Sequence, residues 1–115
     1  MKDVVKTFKA IADESRLRIL GMLRGKSLCV CEIAEVLGLA QSTASRHLKV
    51  LEDSGLVDRR KGGLWVEYSL PSTSPGSLPG AVLDLVQDLL EEDVLISLDR
   101  TNAEQVDRKV ICRRA

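Results

Sequence analysis

Two cysteines, Cys29 and Cys31, flank a single residue in the stretch Ser-Leu-Cys-Val-Cys-Glu at residues 27–32, and Cys112 is the only other cysteine of the 115-residue chain. Thiolates are soft ligands that favour soft metals and metalloids. In a regular helix the side chains of residues i and i+2 point about 200° apart, whereas in an extended segment they point to the same side. The pair can therefore hold one ion only if the segment around Cys29 is not helical.

Other interpretations of the pair remain open. Free cysteine is also a common buried apolar residue. A zinc knuckle is not expected, since it needs C-x-x-C spacing and a second such pair. A disulfide framework is not expected from three cysteines and no secretory signal, although Cys29 or Cys31 could form a redox-switch disulfide with Cys112, because C-x-C closing on itself would be a strained ring. No histidine or carboxylate is spaced near a cysteine in a way that suggests nucleophilic catalysis, so an enzyme is not expected.

The elements that must position these thiols are predicted by apolar spacing. Helical spacing predicts a first helix ending near Ala12, then helices over residues 15–25, 32–38 and 41–55, with Asp13 or Ser15 as the cap of the second. The third and fourth helices are joined by residues 38–40, as in a helix-turn-helix. Two strands, over 56–60 and 64–70 around a Lys-Gly-Gly turn, predict a hairpin. A hairpin after a helix-turn-helix is a winged arrangement.

The second half of the chain is predicted to serve dimerisation. Residues 71–80 form a turn-rich linker, and residues 81–98 form one helix with a wide apolar stripe that we expect to bury against a second copy of the chain. The stripe comprises Val82, Leu85, Val86, Leu89 and Leu90. The predicted fold class is mainly α with a small β-hairpin wing (α+β), a dimeric winged helix-turn-helix. Its domain spans residues 1–98, with dimerisation helices at about 3–12 and 80–98, and residues 99–115 form a C-terminal tail.

The charges are unevenly distributed although the net charge is zero. Residues 41–62 are locally basic, whereas residues 81–107 are strongly acidic, so a basic face can bind phosphate while the acid restrains indiscriminate binding. No apolar run approaches the roughly 18 residues of a membrane span, and the start of the chain lacks the apolar region of a secretory signal. The chain is expected to be cytoplasmic and not to bind a membrane.

The fourth helix carries the residue types that read DNA. Glutamine and arginine make bidentate contacts to purine edges, and serine and threonine bond to bases or phosphates. The candidates for groove contacts are Gln41, Ser42, Thr43, Ser45 and Arg46. Lys49, Arg60 and Lys61 are candidate phosphate contacts, and strand alternation can aim Arg59 away. His47 is either a DNA contact or a packing residue, and a solvated polar face is the alternative for the whole surface.

Three parts of the chain share a pattern with a known family. They are Ile-Ala-Asp-Glu-Ser-Arg-Leu-Arg-Ile-Leu at residues 11–20, the stretch 28–63 that contains C-V-C, and Trp-Val-Glu-Tyr-Ser-Leu at 65–70. Together they resemble the ArsR/SmtB family of winged-helix metalloregulators. The resemblance covers about residues 4–95. It implies a homodimeric transcriptional repressor that leaves an imperfectly palindromic operator in double-stranded DNA when an inducing metal or metalloid binds. It also implies that the first helix and the helix after the linker form the dimer interface.

The resemblance implies trivalent arsenic or antimony as the inducer and no organic cofactor. The arsenic-sensing branch has a third cysteine three positions after C-V-C, where this chain has Ala34, so Cys29 and Cys31 are expected to be joined by Cys112 from the same or the partner subunit. Cadmium- and lead-sensing relatives add cysteines near the N terminus, and residues 1–27 contain none. Zinc-sensing relatives use Asp and His pairs on the last helix, which lacks histidine here. A cadmium or lead sensor, a thiol-redox sensor and a protein-interaction module stay open as alternatives.

Overall fold

The computed structural model describes residues 1–106 of the chain, and Cys112 lies outside this range. Six helices and three strands follow one another in these residues. The helices are α1 Lys2–Ile11, α2 Glu14–Met22, α3 Val30–Leu37, α4 Gln41–Asp53, α5 Leu78–Leu90 and α6 Val94–Gln105, and the strands are β1 Leu28–Cys29, β2 Asp58–Gly62 and β3 Trp65–Ser69. None of the described helices has the length and apolar character needed to span a bilayer.

The helix boundaries of the first half follow local signals in the sequence. Asp13 is the N-cap of α2, and its carboxylate accepts a hydrogen bond of 3.0 Å from the backbone N–H of Arg16, which settles the choice between Asp13 and Ser15. Gly38 ends α3 in the left-handed conformation, with φ of 70°, which glycine adopts without a steric cost. The predicted helix-turn-helix is thus confirmed as α3 followed by α4.

The helix-turn-helix is held by an aliphatic core. The predicted stripe of α4, Ala44, Leu48 and Leu51, is fully buried, and Ile33 and Leu37 of α3 are buried as well. Burial of each large aliphatic side chain stabilises the fold by about 1.5–3 kcal/mol. The position of α4 is therefore coupled to that of α3 through packed side chains.

The wing contains the predicted hairpin, formed by β2 and β3, and β1 adds a third antiparallel strand that the sequence did not predict, in the order β1-β3-β2. The two residues of β1 pair with β3, Leu28 opposite Tyr68 and Cys29 opposite Glu67. Residues 61 and 62 end β2 instead of forming the turn, which consists of residues 63 and 64, with φ of 60° at Gly63. Strand β1 joins the cysteine segment directly to the wing.

The prediction of one helix over residues 81–98 is wrong, because the chain turns at residues 91–93 and begins a new helix. The side chain of Asp93 caps α6 by accepting the N–H of Ile96 at 3.1 Å. The linker also ends earlier than predicted, since Ser77 caps α5 by accepting the N–H of Gly80 at 3.2 Å. Pro79 is tolerated in the first turn of α5, where its missing N–H would have no helical partner.

Residues 99–105, predicted as the start of a tail, are the last turns of α6 and pack on α2. The guanidinium of Arg18 donates to both carboxylate oxygens of buried Asp99, at 3.0 and 2.9 Å, and this pairing raises the pKa of Arg18. Arg100 donates to the carbonyl oxygen of Gly21 at 3.0 Å. A Cβ atom on Gly21 would lie 2.8 Å from a methyl carbon of Ile96. The domain boundary expected at residue 98 therefore falls inside a well-packed helix.

The apolar stripe of α5 is divided between the core and the surface. Val82 and Val86 are buried within the same chain, which differs from the prediction that the whole stripe meets a second copy. Leu85 and Leu89 remain 48% and 72% exposed. On α1, the first of the two predicted dimerisation helices, Val4, Val5 and Phe8 are likewise exposed.

Candidate thiol site and nucleic-acid interface

Cys29 lies at the junction between β1 and α3 and is not helical. It is the N-cap of α3, with φ of −82° and ψ of 164°, and its residue is 2% exposed. Cys31 lies in the first turn of α3 and is 4% exposed. Both side chains can serve one ion only if Cys29 is extended, and the backbone meets this requirement.

A buried carboxylate, which sequence reasoning missed as a site residue, contacts Cys29. The backbone N–H of Cys29 donates to Oε1 of Glu32 at 2.8 Å, and the thiol of Cys29 donates to the same oxygen at 3.1 Å. Glu32 is 5% exposed. A glutamate three residues after an N-cap is the signal that could have identified it, because this spacing forms a capping box.

The other positions considered for ion ligands are Cys31, Ala34 and Cys112. Cys31 is buried in the first turn of α3, where the backbone is already helical. Ala34 is buried one turn further along α3. Among residues 1–106, no three His, Cys, Asp or Glu side chains form a group that could hold a metal ion. Cys112, the predicted third ligand, lies outside the described residues.

The candidate DNA face is the side of α4 opposite its buried stripe. Ser42, Ser45 and Arg46 are exposed, and Gln41 and Thr43 are half-buried. The guanidinium of Arg46 donates to Oγ1 of Thr43 at 3.4 Å on this surface. The N-cap of α4 is Ala40, whose side chain cannot accept a hydrogen bond from the first-turn amides, and uncapped amides at a helix start are suited to phosphate.

His47 is tied to the neighbouring helices. Its Nδ1 lies 3.1 Å from Nη1 of Arg16 and 3.9 Å from Oδ2 of Asp13. Because arginine can only donate, Nδ1 is the acceptor in this contact. Arg16 also donates to the carbonyl oxygens of Ala10 and Lys9, at 2.6 and 3.3 Å, so it links the end of α1 to α4. The structure thus gives His47 a hydrogen-bonding role inside the fold, and Arg16 is a residue that sequence reasoning did not single out.

The basic residues of β2 divide between the two faces of the wing. Arg59, Arg60 and Lys61 are all exposed, and they lie opposite Tyr68, Glu67 and Val66 of β3. Since successive residues of a strand point to opposite faces, Arg59 shares a face with Lys61, and Arg60 lies on the other. The predicted pair of phosphate contacts, Arg60 and Lys61, therefore does not form one patch.

Lys49 forms an ion pair within its own helix, α4. Its ammonium group lies 3.1 Å from a carboxylate oxygen of Asp53, one turn further on, and the hydrogen bond to Asp53 raises the pKa of Lys49. Both side chains are exposed, so water weakens the pair. A phosphate contact from Lys49 would have to compete with this intrahelical partner.

The sequence is similar to those of known bacterial regulatory proteins. Residues 13–59 match the model of the family described as "Bacterial regulatory protein, arsR family". The chain is similar to the arsenic resistance transcriptional regulator ArsR1 of Pseudomonas putida, at 38% identity over 92 residues, 76% of this chain and 72% of that protein. It is also similar to a CadC homologue from Staphylococcus aureus, a cadmium resistance transcriptional regulatory protein, at 42% identity over 69 residues, or 59% of this chain. The chain covers only 57% of the length of that second relative.

A solved structure shares the fold. The homodimeric winged helix-turn-helix DNA-binding domain from Mycobacterium bovis, described as a possible ArsR-family transcriptional regulator, superposes with a TM-score of 0.65 at 31% identity. The match covers 81% of this chain and 82% of that one. The winged helix-turn-helix predicted from the sequence is therefore confirmed.

Proposed function

This chain belongs to the arsR family of bacterial regulatory proteins, and on that premise we propose that it is a homodimeric, DNA-binding repressor that releases its operator when its cysteine thiolates bind trivalent arsenic or antimony. One observation carries the proposal. The buried Cys29 is extended at the N-cap of α3, two residues before Cys31, and α3 packs directly against α4. The thiols thus lie on the element that positions the candidate reading helix.

The DNA-binding part of the proposal rests on α4 and the wing. Gln41, Ser42, Thr43, Ser45 and Arg46 lie on the solvent-facing side of α4, where their side chains can reach base edges in a major groove. The exposed cations of β2 are suited to phosphates beside that groove. We assign base contacts to the α4 residues and phosphate contacts to Lys61, to Arg60 from the other face of the wing, and to Lys49 in competition with Asp53. His47 serves mainly in packing.

The ion-binding part rests on thiol chemistry. Trivalent arsenic takes three thiolates in a pyramid, as the arsenic-sensing branch of the family implies, and soft thiolate ligands suit it. We propose Cys112 of the same subunit as the third ligand. Val106, the last described residue, packs against the core, and an extended stretch from residue 107 to residue 112 can span up to about 20 Å. Because α6 lies against α2 and α3, this reach begins close to the cysteine segment.

The proposed coupling uses the shared core of α3 and α4. Drawing the thiolates of Cys29 and Cys31 onto one ion changes the geometry of the first turn of α3, and the packed side chains pass this change to α4. A coupling of about 1–3 kcal/mol, or roughly 5- to 150-fold in operator affinity, is ordinary for two linked sites.

Dimerisation is supported by the apolar surface left on the single chain. Val4, Val5 and Phe8 of α1 and Leu85 and Leu89 of α5 are exposed, and α1 contacts α5. An apolar surface of this kind marks a protein interface. A twofold dimer would present two copies of α4, which fits an operator with two related half-sites. The cytoplasmic location expected from the sequence stays a prediction.

The experiment that tests the proposal starts from a pool of random duplex DNA. The reduced protein is used to select bound duplexes from a random pool, and the selected sequences are expected to contain an imperfect inverted repeat. Arsenite is then added to the complex at fixed salt, and fluorescence anisotropy is expected to report release. Selection of no sequence above background would contradict the DNA-binding claim. Unchanged affinity at saturating arsenite would contradict the inducer claim.

A second candidate function is a thiol-redox switch in the same fold, supported by the two buried cysteines at the start of α3. In this function oxidation of the thiol, rather than binding of an ion, changes the geometry at the start of α3. Treatment with peroxide would release DNA, a reductant would restore binding, and arsenite would have no effect.

A cadmium or lead sensor remains an alternative, and competition between cadmium and arsenite for the reduced thiols distinguishes it. A protein-interaction module is the least supported alternative, and selection of a specific duplex would exclude it.

A further inference from the structure

We infer that Glu32 is the positioning residue of the thiol site: its buried carboxylate holds Cys29 outside the helix, in the geometry that lets Cys29 and Cys31 serve one ion. This inference rests on the proposed function. Glu32 is not assigned as a ligand, and its role is to fix the conformation of Cys29. The contact that carries the inference is the hydrogen bond of 2.8 Å from the backbone N–H of Cys29 to Oε1 of Glu32. The thiol of Cys29 donates to the same oxygen at 3.1 Å in the ion-free protein and gives up this proton when it binds an ion as a thiolate.

The geometric need comes from the C-x-C spacing. If α3 began one turn earlier, Cys29 and Cys31 would both be helical and their side chains would point about 200° apart. The observed ψ of 164° at Cys29 prevents this. The hydrogen bond from its N–H to Oε1 of Glu32 satisfies a buried donor, and leaving such a donor without any partner is destabilising. Glu32 therefore stabilises the one backbone conformation that the chelating pair requires.

The surroundings of Glu32 suit this role. The carboxylate is buried, so the bonds to Cys29 are shielded from water. Strand β1 holds the other side of Cys29 by pairing it with Glu67. Glu35, one turn later on the same helix, is exposed and offers a matched control, because its substitution removes the same charge from the surface of α3.

The substitution Glu32→Gln separates positioning from charge. A glutamine side chain keeps the oxygen that accepts the N–H of Cys29 but removes the negative charge. If Glu32 acts by holding Cys29, Glu32→Gln retains the site, whereas Glu32→Ala loses it. If Glu32 acts as a ligand or through its charge, both substitutions impair the site equally.

The test uses the full reduced chain and arsenite as the probe. Binding is followed by the ultraviolet absorbance of the arsenic–thiolate bond for wild type, Glu32→Ala, Glu32→Gln and Glu35→Ala, after thermal unfolding has established that each variant folds. Removal of a residue that orients a ligand in this way typically weakens ion affinity about 10- to 100-fold. We expect that loss in Glu32→Ala and near wild-type affinity in Glu32→Gln and Glu35→Ala.

A second readout needs no ion. In nuclear magnetic resonance spectra, the Cα shift and the amide exchange rate of Cys29 report whether this residue is extended and hydrogen-bonded. We expect both to change in Glu32→Ala and to be retained in Glu32→Gln. A Cys29 conformation unchanged in Glu32→Ala would overturn the inference, as would equal loss of arsenite binding in the Ala and Gln variants. Failure of the proposed function looks different, because wild type and Cys29→Ser would then bind arsenite equally poorly while the Cys29 resonances still respond to Glu32→Ala.

Discussion

Cys29 of β1 lies directly opposite Glu67 of β3, and Arg60 of β2 lies opposite Glu67 on the other side of β3. Residues that face each other in this way across antiparallel strands project to the same side of the sheet. The candidate sensor thiol and a candidate phosphate contact are thus two ends of one row in a single sheet. A change at Cys29 has a direct route to the wing, besides the route through α3 to α4.

This row predicts that the wing responds to arsenite. Because β1 has only two residues, movement of Cys29 is expected to loosen its pairing with β3 and to speed backbone amide exchange in residues 65–69. Hydrogen exchange with mass spectrometry on the reduced protein measures this effect. Cys29→Ser serves as the control and is expected to show no arsenite-dependent change. If amide exchange in residues 65–69 of wild type were equal with and without arsenite, the prediction would be contradicted, and any structural response to arsenite would be confined to the helices.

The division of roles between α4 and the wing predicts two different losses. Arg46→Ala is expected to weaken operator binding by about 1–3 kcal/mol per half-site and to relax sequence preference, because it removes a base contact. Lys61→Ala is expected to weaken binding to all sequences alike and to make the salt dependence shallower, by about 0.9 for each phosphate that the lysine neutralises. Anisotropy titrations at several salt concentrations measure both.

Arg24→Ala is the matched control for these titrations. Arg24 is exposed and forms an ion pair with Glu91, so its removal changes net charge by the same amount without touching α4 or the wing. Operator affinity and salt slope are expected to stay near wild type. A slope reduced as much by Arg24→Ala as by Lys61→Ala would show that general charge, rather than the wing, contacts the phosphates.

His47 is expected to matter for stability more than for sequence recognition. His47→Ala removes the acceptor for Arg16 and is expected to lower the free energy of unfolding by about 1 kcal/mol, since the bond involves a charged donor but is partly open to water. His47→Asn keeps an acceptor near the Nδ1 position and is expected to have a smaller effect. Denaturant unfolding measures the difference. A loss of sequence preference in His47→Asn with unchanged stability would instead assign His47 to the groove.

The Arg18–Asp99 pair predicts unequal effects of removing its two partners. The Asp99 side chain is 2% exposed, whereas that of Arg18 is 19% exposed. Arg18→Met leaves a buried carboxylate without its arginine, and is expected to cost about 3–5 kcal/mol. Asp99→Asn leaves a cation that water can reach, and is expected to cost less. Comparable losses measured by denaturant unfolding would indicate that packing, rather than the buried charge, sets the effect.

The helix-turn-helix could be predicted from the sequence because its signals are local and agree with one another. The aliphatic stripe of α4 and the Gly38 stop lie within a few residues of the structure they specify. Strand β1 could not be predicted, because two residues are too few to show the alternation of apolar and polar side chains that marks a strand. Their strand conformation comes only from pairing with β3. The role of Arg16 in joining α1 to α4 also depends on contacts between segments that are distant in sequence.

The end of the described chain is harder to predict for a physical reason. The apolar pattern of residues 81–98 continues through the acidic turn at 91–93, and Asp93 acts there as an N-cap rather than as a helical residue. The inward placement of Asp99 depends on Arg18, 81 residues earlier in the chain. For the thiol site, a non-helical start at Cys29 was expected only if the two cysteines hold one ion, whereas the contact with Glu32 needed the folded backbone.

The most direct measurement of the central claim is an arsenite titration of the reduced operator complex, with wild type, Cys29→Ser, Cys31→Ser and Cys112→Ser compared at one salt concentration. Wild type is expected to release DNA with an affinity drop of roughly 5- to 150-fold at saturation. The Cys29 and Cys31 variants are expected to bind DNA normally and to ignore arsenite, and Cys112→Ser is expected to need more arsenite. Release by arsenite that persists in Cys29→Ser and Cys31→Ser would contradict the account.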